Sequence, residues 1–454
     1  MSKEAEFFEA VLAAPDDDAP RLVFADFLTG EGDPRGEFIA LQCRLAATPD
    51  DEARRQLRIA ENKLLAAHEA KWTADFFAVA KSTPFRKVKV VFHRGFLEEA
   101  TLPIDALDDL EPLFHAAPLL RRLRFDSPGF TGQTHAPPTL AGRLSSPRLR
   151  NVKSLDLRLP AGGDAVAREL AQCPHLTGLH TLHLEATSWP IPDFPTPIFS
   201  GPPESHRLGA GGATTLAASP HLKGLRDVKL ASNALGGAGV KALVDGGWAL
   251  ESLDVSGNQL DDSALLAIAT APHLSNLRHL GVGGGTYSAA ALKALATSKT
   301  LTSLTSLDLS SSQLTPRLLE QFVGALKLPT LTELTLIATG LGDAGALVLA
   351  KSATSRQFTS LQLGENKVTQ TGVFALADSP NLTGLKRLQL NDAWLGKKAV
   401  VEYLAASETL ASCRIYVKGS LLGRSAPKKA VEKKAVEKKK PAAKAKAAKP
   451  KKAR

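Results

Sequence analysis

Three histidines share one tripeptide context: Pro174-His175-Leu176, Pro220-His221-Leu222 and Pro272-His273-Leu274. Imidazoles repeated in register suggest a metal site, because neutral His nitrogen ligates zinc and related ions. The same slot holds Asn in Pro380-Asn381-Leu382, so it reads as a recurring loop position, and no metal is expected. The stretches 209–212 and 281–285 are rich enough in glycine to suggest phosphate cradles. Neither carries GxxxxGK[ST], and both fall where a repeated unit would turn. GxSxG, HExxH and a Cys with a His partner in any family pattern are all missing. No enzyme activity and no cofactor are therefore expected.

What remains is a set of surfaces. Asp156, Asp254 and Asp308 recur at the middle of short apolar segments, with His183 and Lys229 at the same place in others. If those segments are strands, these side chains lie exposed on one sheet face, as a solvated charge pattern or as a contact for a partner. Ser154, Ser252, Ser306 and Ser360 stand beside them and would keep the face smooth. A second candidate is the stretch 189–207, which holds six prolines together with Trp189, Phe194 and Phe199. Proline excludes helix and central strand, so a semi-rigid loop is expected. Aromatics on such a loop either anchor a partner or fold back over the flank.

The elements that would position these residues follow from a 27-residue period. Leu253/Val255, Leu280/Val282, Leu307/Leu309, Leu334/Leu336, Leu361/Leu363 and Leu388/Leu390 succeed one another at steps of 27. Leu155/Leu157, Leu182/Leu184 and Val228/Leu230 precede them, and Leu123/Phe125 begins an irregular earlier unit. Each unit then runs into an Ala/Leu-rich helix, for example 289–296 or 371–377. Alternating apolar residues face inward from a strand, and the helix buries its own stripe against them. One such unit cannot cover its apolar face alone, so the units must stack. The step from Leu182 to Val228 is 46 residues, which places the 189–207 insertion between a strand and its helix.

Over residues 120–415 this pattern resembles the leucine-rich repeat LxxLxLxxNxL, most closely in Leu225-Arg226-Asp227-Val228-Lys229-Leu230-Ala231-Ser232-Asn233-Ala234-Leu235. Its length resembles the ribonuclease-inhibitor-like class, in which a full helix follows each strand. The resemblance implies an α/β horseshoe of parallel strands and helices that binds other proteins. By analogy it also admits a regulator of a GTPase or another enzyme. The Asn position is kept at Asn233, Asn258 and Asn366 but holds Gly285, Ser312, Thr339 and Ala393 elsewhere. Irregular loops or water are expected at those gaps.

The first 45 residues differ from the repeats. Asp17-Asp18-Ala19-Pro20-Arg21-Leu22-Val23-Phe24-Ala25-Asp26-Phe27-Leu28, then Gly32-Asp33-Pro34-Arg35-Gly36-Glu37-Phe38-Ile39 and Gln42, resemble a repeat-companion domain that some bacteria attach to repeat proteins. The resemblance implies a bacterial source and no activity. Apolar spacing predicts one helix with Phe7, Phe8, Val11 and Leu12 on a face, and a second with Leu22, Val23, Phe27 and Leu28. Another helix is expected over 52–71, with strands at 88–92 and 96–102. The resulting organisation is a helical N-terminal domain (1–80), capping elements (81–119), repeats (120–423) and a tail (424–454).

The net charge of +10 is a property of the tail. Residues 424–454 hold 14 Lys and Arg against Glu432 and Glu437, a net of +12, which leaves the rest at −2. With no aromatic residue and little apolar bulk, the tail is expected to be disordered. Lys428, Lys429, Lys433, Lys434, Lys438, Lys439 and Lys440 would attract a polyanion without reading its sequence, with strong salt dependence. Cys43, Cys173 and Cys413 form no disulfide framework, so a reducing compartment is expected. No signal peptide or membrane span is evident, which points to a cytoplasmic, monomeric protein that does not engage membranes.

Overall fold

The computed structural model describes residues 2–49, 51–80, 88–126, 140, 142–158, 163–185, 207–390, 398–417 and 420–422. Trp189, Phe194, Phe199 and the tail with its lysines lie outside them. Five helices open the chain: α1 (Lys3–Ala13), α2 (Asp18–Gly30), α3 (Pro34–Ala47), α4 (Asp51–Trp72) and α5 (Ala74–Ala80). The hairpin β1 (Lys89–His93) and β2 (Phe96–Pro103) follows, then α6 (Glu111–Ala116), β3 (Arg122–Asp126) and β4 (Ser154–Arg158). Strand and helix then alternate: α7 (Gly163–Gln172), β5 (Thr181–His183), α8 (Ala210–Ala218), β6 (Asp227–Lys229), α9 (Gly236–Asp245), β7 (Ser252–Asp254) and α10 (Asp262–Thr270). The alternation continues through β8 (His279–Gly281), α11 (Ala289–Ala296), β9 (Ser306–Asp308), α12 (Pro316–Ala325), β10 (Glu333–Thr335), α13 (Gly342–Lys351), β11 (Ser360–Gln362) and α14 (Gln370–Ala377). It ends with β12 (Arg387–Leu390), α15 (Lys398–Ala406), β13 (Arg414–Val417) and β14 (Ser420–Leu421).

Among the described residues fourteen strands form one sheet in sequence order. The hairpins at either end are antiparallel, and every pairing between β2 and β13 is parallel. The predicted leucines are the inward rungs: Leu155 pairs with Leu182, Leu182 with Val228, and so on to Leu361 with Leu388. Leu182, Val228, Leu307, Leu334, Leu361 and Leu388 are fully buried. Neighbouring strands lie about 4.8 Å apart and neighbouring helices about 8–10 Å apart. With one of each per unit, the stack must curve with the sheet on its concave side. This is the expected leucine-rich repeat solenoid. Among the described residues no helix is long and apolar enough to cross a membrane.

The strand-to-helix turn is built from polar groups shared between repeats. Four residues past the first rung the backbone is left-handed at Ser232, Gly257, Gly284, Ser311, Ala338 and Glu365. The next residue closes the turn. Asn258 donates to Leu230 O and Val255 O and accepts from the Leu235 amide. Asn233 and Asn366 work in the same way. Two of the expected gaps are filled by other hydroxyls, and the one at Ala393 lies outside the described residues. Thr339 donates to Leu336 O. Tyr287 donates to Val282 O, the carbonyl an Asn at 285 would reach. Gly285 is needed there, because a Cβ would stand 2.2 Å from the Tyr287 ring. At the other helix end, Ser219, Ser298 and Ser379 each donate to the last turn of the preceding helix.

The N-terminal module corrects two expectations. The buried stripe of α2 is Arg21, Phe24, Ala25 and Leu28, while Leu22 and Val23 are exposed. Spacing by apolar type alone shifted the stripe, because its first member is a buried arginine. A third helix, α3, starts at the expected turn, with Asp33 as N-cap and Pro34 in its first turn. Its buried residues go almost all round, so no amphipathic stripe betrays it. Gly36 lets α3 approach α2, since a Cβ would lie 2.4 Å from Ala25 O.

Arg21 donates to Pro15 O, His93 O and Arg94 O and pairs with Glu98 at 2.7 Å. Gln42 donates to Phe92 O and accepts from the Gly95 amide. Arg35 lies over the Trp72, Phe92 and Phe96 rings and donates to Gly95 O. These residues of the N-terminal motif are thus occupied in docking the module onto the first hairpin. Cys43, Cys173 and Cys413 are buried free thiols, and burial pushes the Cys43 thiol up to about 11.

Replacing Asn258 with Ala leaves the buried Leu235 amide and Val255 carbonyl without a partner, while Leu230 O keeps only its bond from Asn233. It should cost about 2 kcal/mol, read as a lower denaturant midpoint. A change below about 0.5 kcal/mol would contradict the role given to the Asn position.

Candidate functional site

Alternate residues of each strand point away from the leucine core, and parallel register aligns them into two rows. The first row runs Arg124, Asp156, His183, Lys229, Asp254, Gly281, Asp308, Thr335, Gln362, Gln389 and Tyr416. The second runs Arg122, Ser154, Thr181, Asp227, Ser252, His279, Ser306, Glu333, Ser360, Arg387 and Arg414. Asp156, His183, Lys229, Asp254 and Asp308, spread over more than 150 residues of sequence, therefore share one line on one face. Asp227, His279, Glu333 and Arg387 were missed, although they stand immediately before the first leucine of each pair. The spacing that marks the rungs marks them as well.

These side chains are not uniformly exposed, which corrects the expectation. Asp156 is buried, and His183, Lys229, Asp254 and Asp308 are half-buried. The cause is that neighbouring strands carry opposite charges. Arg124 donates to Asp156 at 2.7 Å. His183 Nε2 lies 3.4 Å from Asp227, and its Nδ1 lies 4.0 Å from Asp156. A polar chain thus crosses β3 to β6. Burial alone would raise the Asp227 carboxyl, but the hydrogen bond and charge of His183, together with the Ser252 hydroxyl and the Lys229 charge, outweigh it and hold the group below 3.8.

Further along, the carboxylates are partly engaged in the turns. Asp254 accepts from the Ser256 amide and Asp308 from the Ser310 amide. Ser256 and Ser310 in turn accept from Gly283 and Ile337 of the next repeats. Gly281 makes room for Asp254, whose Oδ1 would stand 2.4 Å from a Cβ. The central face is consequently low and polar, with half-exposed Ser252, Ser306, Thr335 and Gln362 and exposed His279 and Glu333. Its far end becomes basic and aromatic, with the Arg387 guanidinium 5.0 Å from the Tyr416 ring centre.

His175 and His221 lie in turns before β5 and β6, and His273 lies in a short 3-10 helix, Pro272–Leu274, before β8. Among the described residues no group of three His, Cys, Asp or Glu is arranged to hold a metal. The face offers hydrogen-bond donors, acceptors and both signs of charge along a curved strip. Such a strip suits recognition of an extended polar surface.

A family model described as leucine-rich repeat matches residues 221–244 and 250–269. Those segments cover β6 into α9 and β7 to α10, two successive repeats of the solenoid. No curated protein matches the chain. Among solved structures, the Rad7 and Elc1 complex in yeast is similar at 15% identity and a TM-score of 0.38, covering 65% of this chain and 76% of that one. An internalin (inlF) from Listeria monocytogenes is similar at 14% identity and a TM-score of 0.32, covering 76% of this chain and 94% of that one.

Because Asp227 is held below its ordinary 3.8, its contribution to stability is complete above that value and is lost as pH falls through the lower folded one. Substituting His183 with Ala should move the Asp227 carboxyl upward, as followed by carboxyl-carbon NMR titration. An unchanged or lower value would remove His183 as the cause.

Proposed function

We propose that this protein is a non-enzymatic, cytoplasmic scaffold that holds a protein partner against the strand face of its leucine-rich repeat solenoid. The observation that carries this reading is the pair of polar rows running in register along the whole sheet. The sheet's backbone groups are satisfied by its own ladder, so only side chains are left to engage a partner, and they are short and varied in charge. Mixed charges in fixed positions favour specificity over raw affinity.

Size supports a contribution from the loops. A strip of fourteen strands about 4.8 Å apart and roughly 10 Å wide offers about 600 Å². A stable interface needs about 800 Å² from each side. Rim segments must supply the rest. The insertion 189–207, with Trp189, Phe194 and Phe199, is the segment whose composition best suits that task.

The net charge of +12 on residues 424–454 favours a second reading, in which the tail tethers the protein to nucleic acid without sequence preference. The two readings separate by salt: tail binding falls steeply with ionic strength, whereas capture on the face persists.

Affinity purification from the native cell at low and high salt tests the proposal. The full chain should retain a protein partner at high salt. The double substitution Ser252→Arg and Ser306→Arg should reduce that retention at least tenfold, because two long cations would stand on the smooth part of the face. Circular dichroism should show the fold unchanged. Equal retention by the variant, or capture that depends wholly on residues 424–454, would overturn the reading.

A further inference from the structure

The N-terminal module and the first repeats enclose a notch of about 250 Å³. One wall comes from the end of α1 and the turn after it, with Leu12, Pro15 and Asp16. The other is the strand-entry edge of β3 and β4, with Arg121, Arg148, Arg150 and Lys153. A short 3-10 helix, Pro147–Asn151, presents two of these arginines. The pocket therefore exists only while the module is docked.

Four cations line the notch against one carboxylate, an excess of three positive charges. The carboxylate is already engaged: Asp16 holds the buried Arg121 guanidinium through two bonds of 2.6 and 3.0 Å. Arg121 keeps Asp16 below its ordinary value. Arg148 leans on Glu111 at 3.4 Å. Arg150 forms no ion pair among the described residues, and Lys153 acts on Asp16 through its charge alone. The positive field reaches the next repeat, where burial together with Lys153, Arg226 and Arg121 depresses His180. Like charges gathered around a concave space raise one another's energy unless an anion joins them.

We propose that this notch is a binding site for a phosphoryl dianion. A single carboxylate would leave most of the excess charge uncompensated, whereas a phosphomonoester supplies two charges and three acceptor oxygens. Guanidinium forks fit phosphate oxygens bidentately; the Arg121 fork is closed on Asp16 and supplies positive charge only, which leaves Arg150 to offer its fork. Asn151 adds a neutral donor at the mouth. The volume is below that of pockets for drug-sized ligands. No aromatic side chain lines the notch, so nothing is provided for stacking a nucleobase. Both features favour an isolated phosphoryl group over a nucleic-acid strand. The Asp16 carboxylate also lines the notch, and its repulsion of an anion is offset by the Arg121 guanidinium that it holds.

The test is isothermal titration of the full chain at fixed ionic strength with three probes: inorganic phosphate, a phosphoserine peptide and a twelve-nucleotide single-stranded DNA. The double variant Arg150→Ser, Lys153→Ser is compared with the parent and with Arg317→Ser, an exposed cation in the first turn of α12, outside both the notch and the strand rows. Inorganic phosphate and the phosphopeptide should bind the parent and the Arg317→Ser variant equally. Both should bind the double variant at least about tenfold more weakly. DNA affinity should be the same in all three proteins. A phosphopeptide that binds tighter than inorganic phosphate identifies a protein-borne group, and equal affinities identify the free ion. Phosphate binding unchanged in the double variant, no phosphate binding to the parent, or DNA affinity lost with the two substitutions would each overturn the proposal. Because neither Arg150 nor Lys153 lies on the strand face, this result and the fate of the scaffold reading are independent.

Discussion

One leucine-rich unit of this chain can neither bury its apolar face nor satisfy the carbonyls at the end of its strand. Both needs are met by the next unit. Leu182 closes onto Val228, Val228 onto Leu253, and Asn258 reaches back to a carbonyl of the repeat before it. This mutual incompleteness forces the parallel register, and the register decides everything on the outer side of the strands. It turns residues scattered at intervals of 25 to 46 in the sequence into two continuous rows. It also explains why the rows are electrostatically cross-linked near the N-terminal end, where Arg124, Asp156, His183 and Asp227 fall side by side.

A stack of this kind has two raw ends, and each is closed differently. At the far end the β13–β14 hairpin turns the sheet back on itself. At the near end the β1–β2 hairpin is itself covered by helices, and buried polar bonds rather than apolar contact alone hold them there. The Arg21–Glu98 pair is almost wholly excluded from water. Breaking one side of such a pair strands the other charge, which makes the docking specific as well as firm. The notch beside Asp16 is a by-product of that specific docking. Two surfaces of different chemistry thus come from one constraint: a strip of mixed polarity along the strands and a cationic recess at the junction.

Much of this architecture was legible in the sequence because the repeats say the same thing many times. The leucine pairs located the strands, and their middle residues located the face. The degree of burial was not legible, because it depends on the charge carried by the neighbouring strand. The Asn position misled where its work passed to Tyr287, a residue two places on that is recognisable only once Gly285 is seen to clear space for its ring. In α2 a buried arginine took a place that apolar counting assigns to leucine. The recess was invisible for a different reason. Its walls come from Leu12 to Lys153, are not repeated, and meet only through the docked module.

The claim beneath all of this is the register of adjacent strands, and disulfide trapping measures it directly. His279 and Ser306 are direct partners on β8 and β9. With cysteines at both positions their Cα atoms would be about 4.8 Å apart, within bridging range. Cysteines at His279 and Asp308 would be offset by two residues, about 8 Å, which is out of range. Mild oxidation of the full chain should cross-link the first pair and spare the second, with the buried native thiols taking no part. Equal cross-linking of both pairs, or trapping of the offset pair alone, would contradict the in-register stack.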